Sequence, residues 1–250
     1  MRFASLGSGS KGNGWLVEQG ETCLLVDCGF GPRALAQRLA VLGKAPQQIT
    51  AIVLTHEHSD HVGGVMRCVE RYRLRVLATA GTRLQLASTS IEVFDSHCAF
   101  EVGDLQVQPF AVPHDAREPV QFVVSDGDRR LGLLTDCGHV TPHLRALLDG
   151  CSALVVECNH DSDLLTQGPY PDWLKARVAG PYGHLANAEA AALLACLDTR
   201  RLRHVVAAHL SEKNNRPHLA ATALAGALGC APQWIAVAGQ VAGLGWRSLA

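Results

Sequence analysis

The sequence predicts an α/β fold in which two β-sheets pack together with helices on the outside. Three observations lead there. Short continuous apolar runs, the mark of buried strands, alternate with segments of helical periodicity along the chain. Five of those runs deliver a ligand-type side chain at their C-terminal end: His56 after Leu54, His114 after Val112, Asp136 after Leu134, Glu157 after Val156 and His209 after Val206. The 250 residues suffice for one large domain, taken as 1–250, with a core that needs no covalent staples. Strand ends on one edge of such a sandwich converge in space, so a rigid scaffold can gather one site from distant positions.

The elements follow in order. The N-terminal part is short strands and turns around a Gly/Ser loop, Ser5-Leu6-Gly7-Ser8-Gly9-Ser10-Lys11-Gly12-Asn13. Lacking the Gly-Lys-Ser/Thr ending, that loop is no P-loop; it is either a phosphate cradle or a hairpin turn. Residues 23–27 are an apolar strand, 34–42 a helix stopping near Gly43, and 51–54 a buried strand. A helix over 62–72 puts Arg67, Glu70 and Arg71 on its wet side. Strands are predicted at 75–78, 91–94, 105–111, 120–125 and 131–135, with a hairpin turn at Asp126-Gly127-Asp128. The remainder reads as strand 153–157, helix 186–197, strand 205–208, helix 219–228 and a last strand at 234–238.

Composition excludes several classes. With 22 Lys plus Arg against 23 Asp plus Glu, global charge gives no support for nucleic-acid binding, so an anionic substrate must be held locally. The first residues have neither the apolar core nor the cleavage site of a signal peptide, and no apolar run is long enough to span a bilayer, so the expected location is the cytoplasm. Nine cysteines, an odd number with no Cys-x-x-Cys, suit core packing in a reducing compartment. Three tyrosines and four tryptophans are a thin supply for a base-stacking platform.

The chemistry concentrates in His56-Glu57-His58-Ser59-Asp60-His61. Side chains two apart in an extended segment point the same way, so His56 and His58 can grip one metal. Asp60 and His61 are adjacent, so a turn must re-aim them toward a second. Imidazole and carboxylate ligands without thiolate suit two divalent ions, Zn²⁺ first and Mn²⁺ or Fe²⁺ next. Two such ions about 3.5–4 Å apart turn a shared water into a hydroxide nucleophile at neutral pH.

On His-x-His-x-Asp-His at 56–61, followed by His114, Asp136 and His209, the chain resembles the metallo-β-lactamase superfamily. The resemblance implies a four-layer αββα sandwich, two mixed sheets with helices on the outer faces. It implies His56, His58 and His114 on a first metal, Asp60, His61 and His209 on a second, and Asp136 bridging. It also makes Asp27 a support of the metal-binding loop. His97, His143, His204 and His218 fit no ligand slot. Further motifs are the Ser5–Asn13 loop, Glu157-Cys158-Asn159-His160-Asp161, Gly183-His184-Leu185-Ala186-Asn187, and His209-Leu210-Ser211-Glu212-Lys213-Asn214-Asn215-Arg216-Pro217. With them the chain resembles the small YycJ/WalJ-type metallohydrolases, related to the RNase Z and phosphodiesterase branches; that group commonly has Ser where this chain has Ala186.

The resemblance implies a phosphodiesterase acting on nucleic-acid ends, DNA or RNA, as a 5′-to-3′ exonuclease. Asp60 then orients the nucleophile and His184 is the general acid, helped by Glu157 or Asp161. Ser211, Asn214, Asn215 and Asn187 are candidate substrate contacts, with Lys213 and Arg216 adding charge. Only 24 residues, 185–208, separate His184 from His209, too few for a clamp domain. Two basic clusters, Arg200, Arg201 and Arg203, and Arg67, Arg71, Arg73 and Arg75, either guide a strand or are solvated edges. Two other functions stay open: a thioester or small-ester hydrolase of the glyoxalase II type, and a non-enzymatic metal-holding regulatory partner. Oligomeric state is not legible.

Overall fold

A computed structural model describes residues 1–249. The first sheet runs through β1 (Arg2–Gly7), β2 (Gly14–Gln19), β3 (Thr22–Val26), β4 (Ala51–Val53), β5 (Val76–Ala78) and β6 (Glu92–Val93). The second takes β7 (Phe100–Val102), β8 (Leu105–Ala111), β9 (Val120–Ser125), β10 (Arg130–Leu134), β11 (Ala153–Glu157), β12 (His204–Ala208) and β13 (Ala236–Val237). β14 (Leu244–Ser248) returns to the first sheet and pairs antiparallel with β1. Each sheet mixes hairpins with parallel neighbours: β3, β4, β5 and β6 are parallel, as are β10, β11, β12 and β13. β8 and β10 both run antiparallel to β9, so β8 points the same way as the parallel set. The strand ends that carry His114, Asp136, Glu157 and His209 therefore share one edge.

Helices α1 (Pro32–Val41), α2 (Ser59–Val62), α3 (Val65–Tyr72) and α4 (Ala80–Leu86) fall within the first half of the chain. α5 (Pro142–Leu148), α6 (Ser162–Gln167), α7 (Asp172–Val178), α8 (Asn187–Ala195) and α9 (Pro217–Leu228) fall within the second. Period-two alternation gives each sheet two apolar faces. One pair meets in a central core where Phe3, Trp15, Leu24 and Val53 pack against Val107, Phe122, Leu133 and Val206. The outer face of the first sheet is covered by Leu35 and Leu39 of α1 and Val65 and Cys68 of α3. That of the second is covered by Leu144, Leu193 and Leu224 of α5, α8 and α9. The result is the four-layer αββα sandwich. Each fully buried Leu, Val or Phe contributes about 1.5–3 kcal/mol of transfer free energy. No helix among the described residues is long and apolar enough to cross a membrane.

Three expectations are corrected. The helix expected over 62–72 is broken at Gly63 and Gly64. There the chain packs so closely on the loop after β3 that a Cβ on Gly64 would lie 1.8 Å from the Phe30 carbonyl oxygen. The last strand expected at 234–238 shrinks to Ala236–Val237, because Pro232–Trp234 form a 3₁₀ turn. β14 then lies beyond it, a mixed-polarity edge strand specified by pairing with β1 rather than by its own pattern. The Gly/Ser loop is the hairpin connection between β1 and β2.

Candidate metal centre

β4 ends at Val53, the chain bends at Thr55, and His56 to His58 follow as a loop. α2 then winds a single turn after His58. That turn re-aims Asp60 and His61, as their adjacency requires. Six imidazoles and three carboxylates meet at the shared strand edge. The potential ligand atoms of His56, His58 and His114 lie within 4.8 Å of one another, as do those of Asp60, His61 and His209, and those of His56, His61 and Asp136. Asp136 stands between the groups, its Oδ2 3.2 Å from His61 Nε2 and its Oδ1 3.1 Å from His209 Nδ1.

The hydrogen bonds assign a free ring nitrogen to each histidine. His56 Nδ1 lies 2.9 Å from Thr55 Oγ1, and His61 Nδ1 lies 2.8 Å from Asp27 Oδ2. His114 Nδ1 is 3.0 Å from the Gly183 carbonyl, and His209 Nδ1 is 3.1 Å from Glu157 Oε1. In all four rings this leaves Nε2 turned inward. His58 is reversed: its Nε2 is 3.2 Å from the Asp115 carbonyl and its Nδ1 faces His114. His56 Nε2 and Asp136 Oδ2 are buried without any hydrogen-bond partner, although Asp136 Oδ2 and His61 Nε2 are close. Proximity without bonding geometry is what convergent lone pairs show, and a cation is the partner that satisfies them. The donor set fits divalent metal.

Electrostatics agree. Burial drives His56 well below the usual imidazole value, helped by neighbouring His61, and burial likewise lowers His114. Burial also opposes charge on His61 and His209, yet Asp136 and the other nearby carboxylates overcome it and raise both, His209 to about 10. Asp60 and Asp136 stay ionised despite burial because His61 and His209 hold them far below the carboxylate range. The carboxylates are thus ionised and the charge on His61 and His209 balances them in the metal-free site, a charge that a divalent ion would replace.

Loops from both sheets brace it. Asp27, fully buried with φ of 62°, accepts from the Thr55 amide at 2.9 Å as well as from His61. His209 also takes the left-handed conformation, φ 52°, which costs a residue with a Cβ about 1–2 kcal/mol and marks a constrained site. The Gly/Ser loop contributes Ser8, whose Oγ accepts from the His209 amide, and Asn13, whose Nδ2 lies 3.2 Å from Asp60 Oδ2. Gly29 is required here because a Cβ would lie 2.0 Å from the Asp60 carbonyl oxygen.

His184 reaches the same edge from the loop before α8. Its Nδ1 lies 2.7 Å from Glu157 Oε1. Burial works against protonation of His184, but the Glu157 charge and hydrogen bond outweigh it and raise the ring. Glu157 is fully buried and also accepts from the Cys137 and Leu185 amides. Of the two carboxylates expected beside His184, Glu157 makes the contact, while Asp161 caps α6 through the Leu164 amide. His184 lines a cleft of about 340 Å³ together with Asp60, Asp136, Tyr170 and Arg177. A larger groove of about 410 Å³ between α5 and α8 lies away from this cluster, with Arg145 and Glu189 as its only charged lining.

Ser211, Asn214, Asn215 and Asn187 do not line the cleft; all four are buried. Asn187 and Asn215 bond to each other through both amides, and Asn215 also donates to the Cys158 carbonyl. They tie α8 to the loop after β12. Ser211 Oγ accepts from the Asn214 amide, closing the same loop. Nothing in a hydrophilic loop distinguishes such internal pairing from open donors. Tyr170, Arg177 and Asp115 line the cleft without belonging to any of the sequence motifs; the only signal for the first two is an aromatic and basic stretch before His184. Of the two basic clusters, Arg75 pairs with Glu92 and Arg200 with Asp198, and the Arg200–Arg203 group precedes β12, at the edge opposite the site.

A family model described as "Beta-lactamase superfamily domain" matches residues 22–209. The chain is 34% identical to "Exodeoxyribonuclease YycJ" of Bacillus anthracis over 88% of its length and 86% of that protein's. It is 30% identical to "Exodeoxyribonuclease WalJ" of Streptococcus pneumoniae over 88% and 85%. Among solved structures, the metallo-β-lactamase fold protein YhfI of Bacillus subtilis superposes with a TM-score of 0.75 over 99% of both chains at 14% identity, a likeness of fold.

Proposed function

The chain belongs to the β-lactamase superfamily and is a metal-dependent hydrolase, and from that premise we propose that it cleaves phosphodiesters at DNA ends, as a 5′-to-3′ exonuclease. The observation that carries this reading is His184 on the wall of the cleft that holds the ligand cluster, with the buried Glu157 carboxylate 2.7 Å behind its ring. A departing alkoxide needs a proton, and a thioester's leaving group needs none at neutral pH. The names of the two relatives point the same way.

In this reading His56, His58 and His114 hold one divalent ion, Asp60, His61 and His209 hold a second, and Asp136 serves both. Zinc is favoured by the imidazole and carboxylate donors. When bound, such a pair supplies an activated water at neutral pH and Lewis-acid stabilisation of phosphoryl oxygens. Asp60 faces His61 and His209 through Oδ2, leaving Oδ1 to orient the attacking water. Glu157 holds the His184 Nδ1 proton, so Nε2 is the atom that meets the leaving oxygen. Gln121, buried beside Thr135, braces the strand end that presents Asp136.

The test is to load the chelated protein with Zn²⁺ or Mn²⁺, count bound metal by mass spectrometry, and assay bis-p-nitrophenyl phosphate, end-labelled DNA and RNA, and S-lactoylglutathione. Release of 5′-terminal label from DNA, abolished in Asp60→Ala, is expected. Turnover of the thioester with no phosphodiester cleavage would overturn the reading.

A further inference from the structure

Three of the chain's seven tyrosine and tryptophan residues fall within thirteen positions, Tyr170, Trp173 and Tyr182. That stretch contains α7 and forms one wall of the cleft, to which it contributes Tyr170, Leu174, Arg177 and Val178. α7 buries none of its residues. Trp173 and Tyr182 stand 67% and 61% exposed, and each is the sequence neighbour of a lining residue, Leu174 or Gly183. Exposed aromatic faces beside a cleft are the kind of surface on which ligands and partners dock.

The cations on this wall are placed as well. Arg177 is fixed by two contacts of 2.7 Å to Asp115, whose carbonyl also meets His58 Nε2. Lys213 extends from the loop after β12 and sets its ammonium 5.5 Å from the centre of the Tyr170 ring. Aromatic faces interleaved with fixed cations match a polyanion whose subunits carry flat rings. Trp173 and Arg177 are one helical turn apart, so a ring and a charge share one face of α7.

We propose that this wall takes the bases of a single-stranded nucleic-acid end by stacking on Trp173 and Tyr182, while Arg177 and Lys213 face its phosphates. The proposal deepens the phosphodiesterase reading and rests on it. Base faces are open only in an unpaired strand, so the wall selects single-stranded or frayed ends over blunt duplex. Stacking on one aromatic side chain changes affinity by about 5- to 150-fold. Because every base has such a face, the selection is for strand form and not for sequence.

The test uses the metal-loaded full chain. For each variant, kcat/KM on a 5′-labelled single-stranded DNA oligonucleotide is divided by kcat/KM on bis-p-nitrophenyl phosphate, which has no base to stack. Trp173→Ala and Tyr182→Ala should each lower that ratio about 5- to 150-fold. Trp173→Phe should restore most of it, and wild type should cut a 5′-overhang end faster than a blunt one. Metal content and sedimentation velocity are recorded in parallel. An unchanged ratio in both alanine variants overturns the proposal. So does an unchanged ratio with a shift to smaller species in Trp173→Ala, which would mean that a second copy of the chain covers the face. If wild type hydrolyses the small diester but not the oligonucleotide, this inference falls and the hydrolase reading stands. If neither is cleaved, both fall.

Discussion

Asp27→Asn isolates a single proton acceptor beneath the metal centre. Asp27 Oδ2 receives His61 Nδ1 at 2.8 Å, and the Thr55 hydroxyl, 2.9 Å from that oxygen, lies 2.9 Å from His56 Nδ1. One carboxylate therefore keeps the Nδ1 protons on two histidines and turns both Nε2 lone pairs into the site. Asparagine is isosteric and among the residues most tolerant of a left-handed backbone, so at φ 62° the fold is preserved. Its amide can still accept from the Thr55 N–H, but it then presents a donor toward His61. The His61 proton must move to Nε2, the atom needed for the metal. Loss of such an orienting partner typically weakens metal binding 10- to 100-fold, about 1.4–2.7 kcal/mol. The weakening should fall on the ion held by Asp60, His61 and His209, leaving one tight and one weak equivalent. Competition against a chromophoric chelator reads both constants. Two equivalents bound within about threefold of wild type would refute the account of Asp27. Asp27→Ala should be worse, because it adds left-handed strain of about 1–2 kcal/mol and orphans the buried Thr55 amide.

His184→Ala should retain both metals while slowing phosphodiester cleavage by about 10²- to 10⁴-fold; loss of a metal equivalent would make His184 a ligand and not the acid. The metal-free protein should lose stability as pH rises. His61 and His209 are raised in the folded state, so their contribution is complete below the unfolded imidazole value of about 6.5 and disappears as pH passes through His209 at about 10. The lowered Asp60, Asp136 and Glu157 contribute above the unfolded carboxylate range and lose that contribution in acid. Melting in chelator should thus fall between pH 6 and 9, whereas zinc, which needs neutral imidazole, should reverse the trend; a flat profile in chelator contradicts this. Phe122→Ala, which empties the centre of the inter-sheet core, should cost about 3–5 kcal/mol, read as a lower denaturant midpoint at unchanged slope.

The strand-end pattern made most of the site legible. His56 to His61 sit within one loop, so local spacing alone announces a metal cluster. His114, Asp136 and His209 each follow an apolar run, and a sandwich brings those ends to one edge whatever the loops between them. The broken helix at Gly63–Gly64 and the edge strand β14 were hidden for one reason. Both depend on a contact with residues far along the chain, the Phe30 carbonyl in one case and β1 in the other. Asn187 and Asn215 illustrate the same limit, since an amide that will be buried against its twin has the composition of one that will meet substrate.

By itself the sequence determined what the centre is made of: donor types, their grouping by strand, and the α/β alternation that aligns them. Only the tertiary structure decided how each donor is used. It turned Glu157 into a partner of both His184 and His209, placed Asp27 and Asn13 behind the ligands, and set Tyr170 and Arg177 on the cleft wall. Donor identity is a property of one residue and survives in a linear string. Lone-pair direction, burial and proximity belong to pairs, and pairs exist only once the two sheets have closed on their common core.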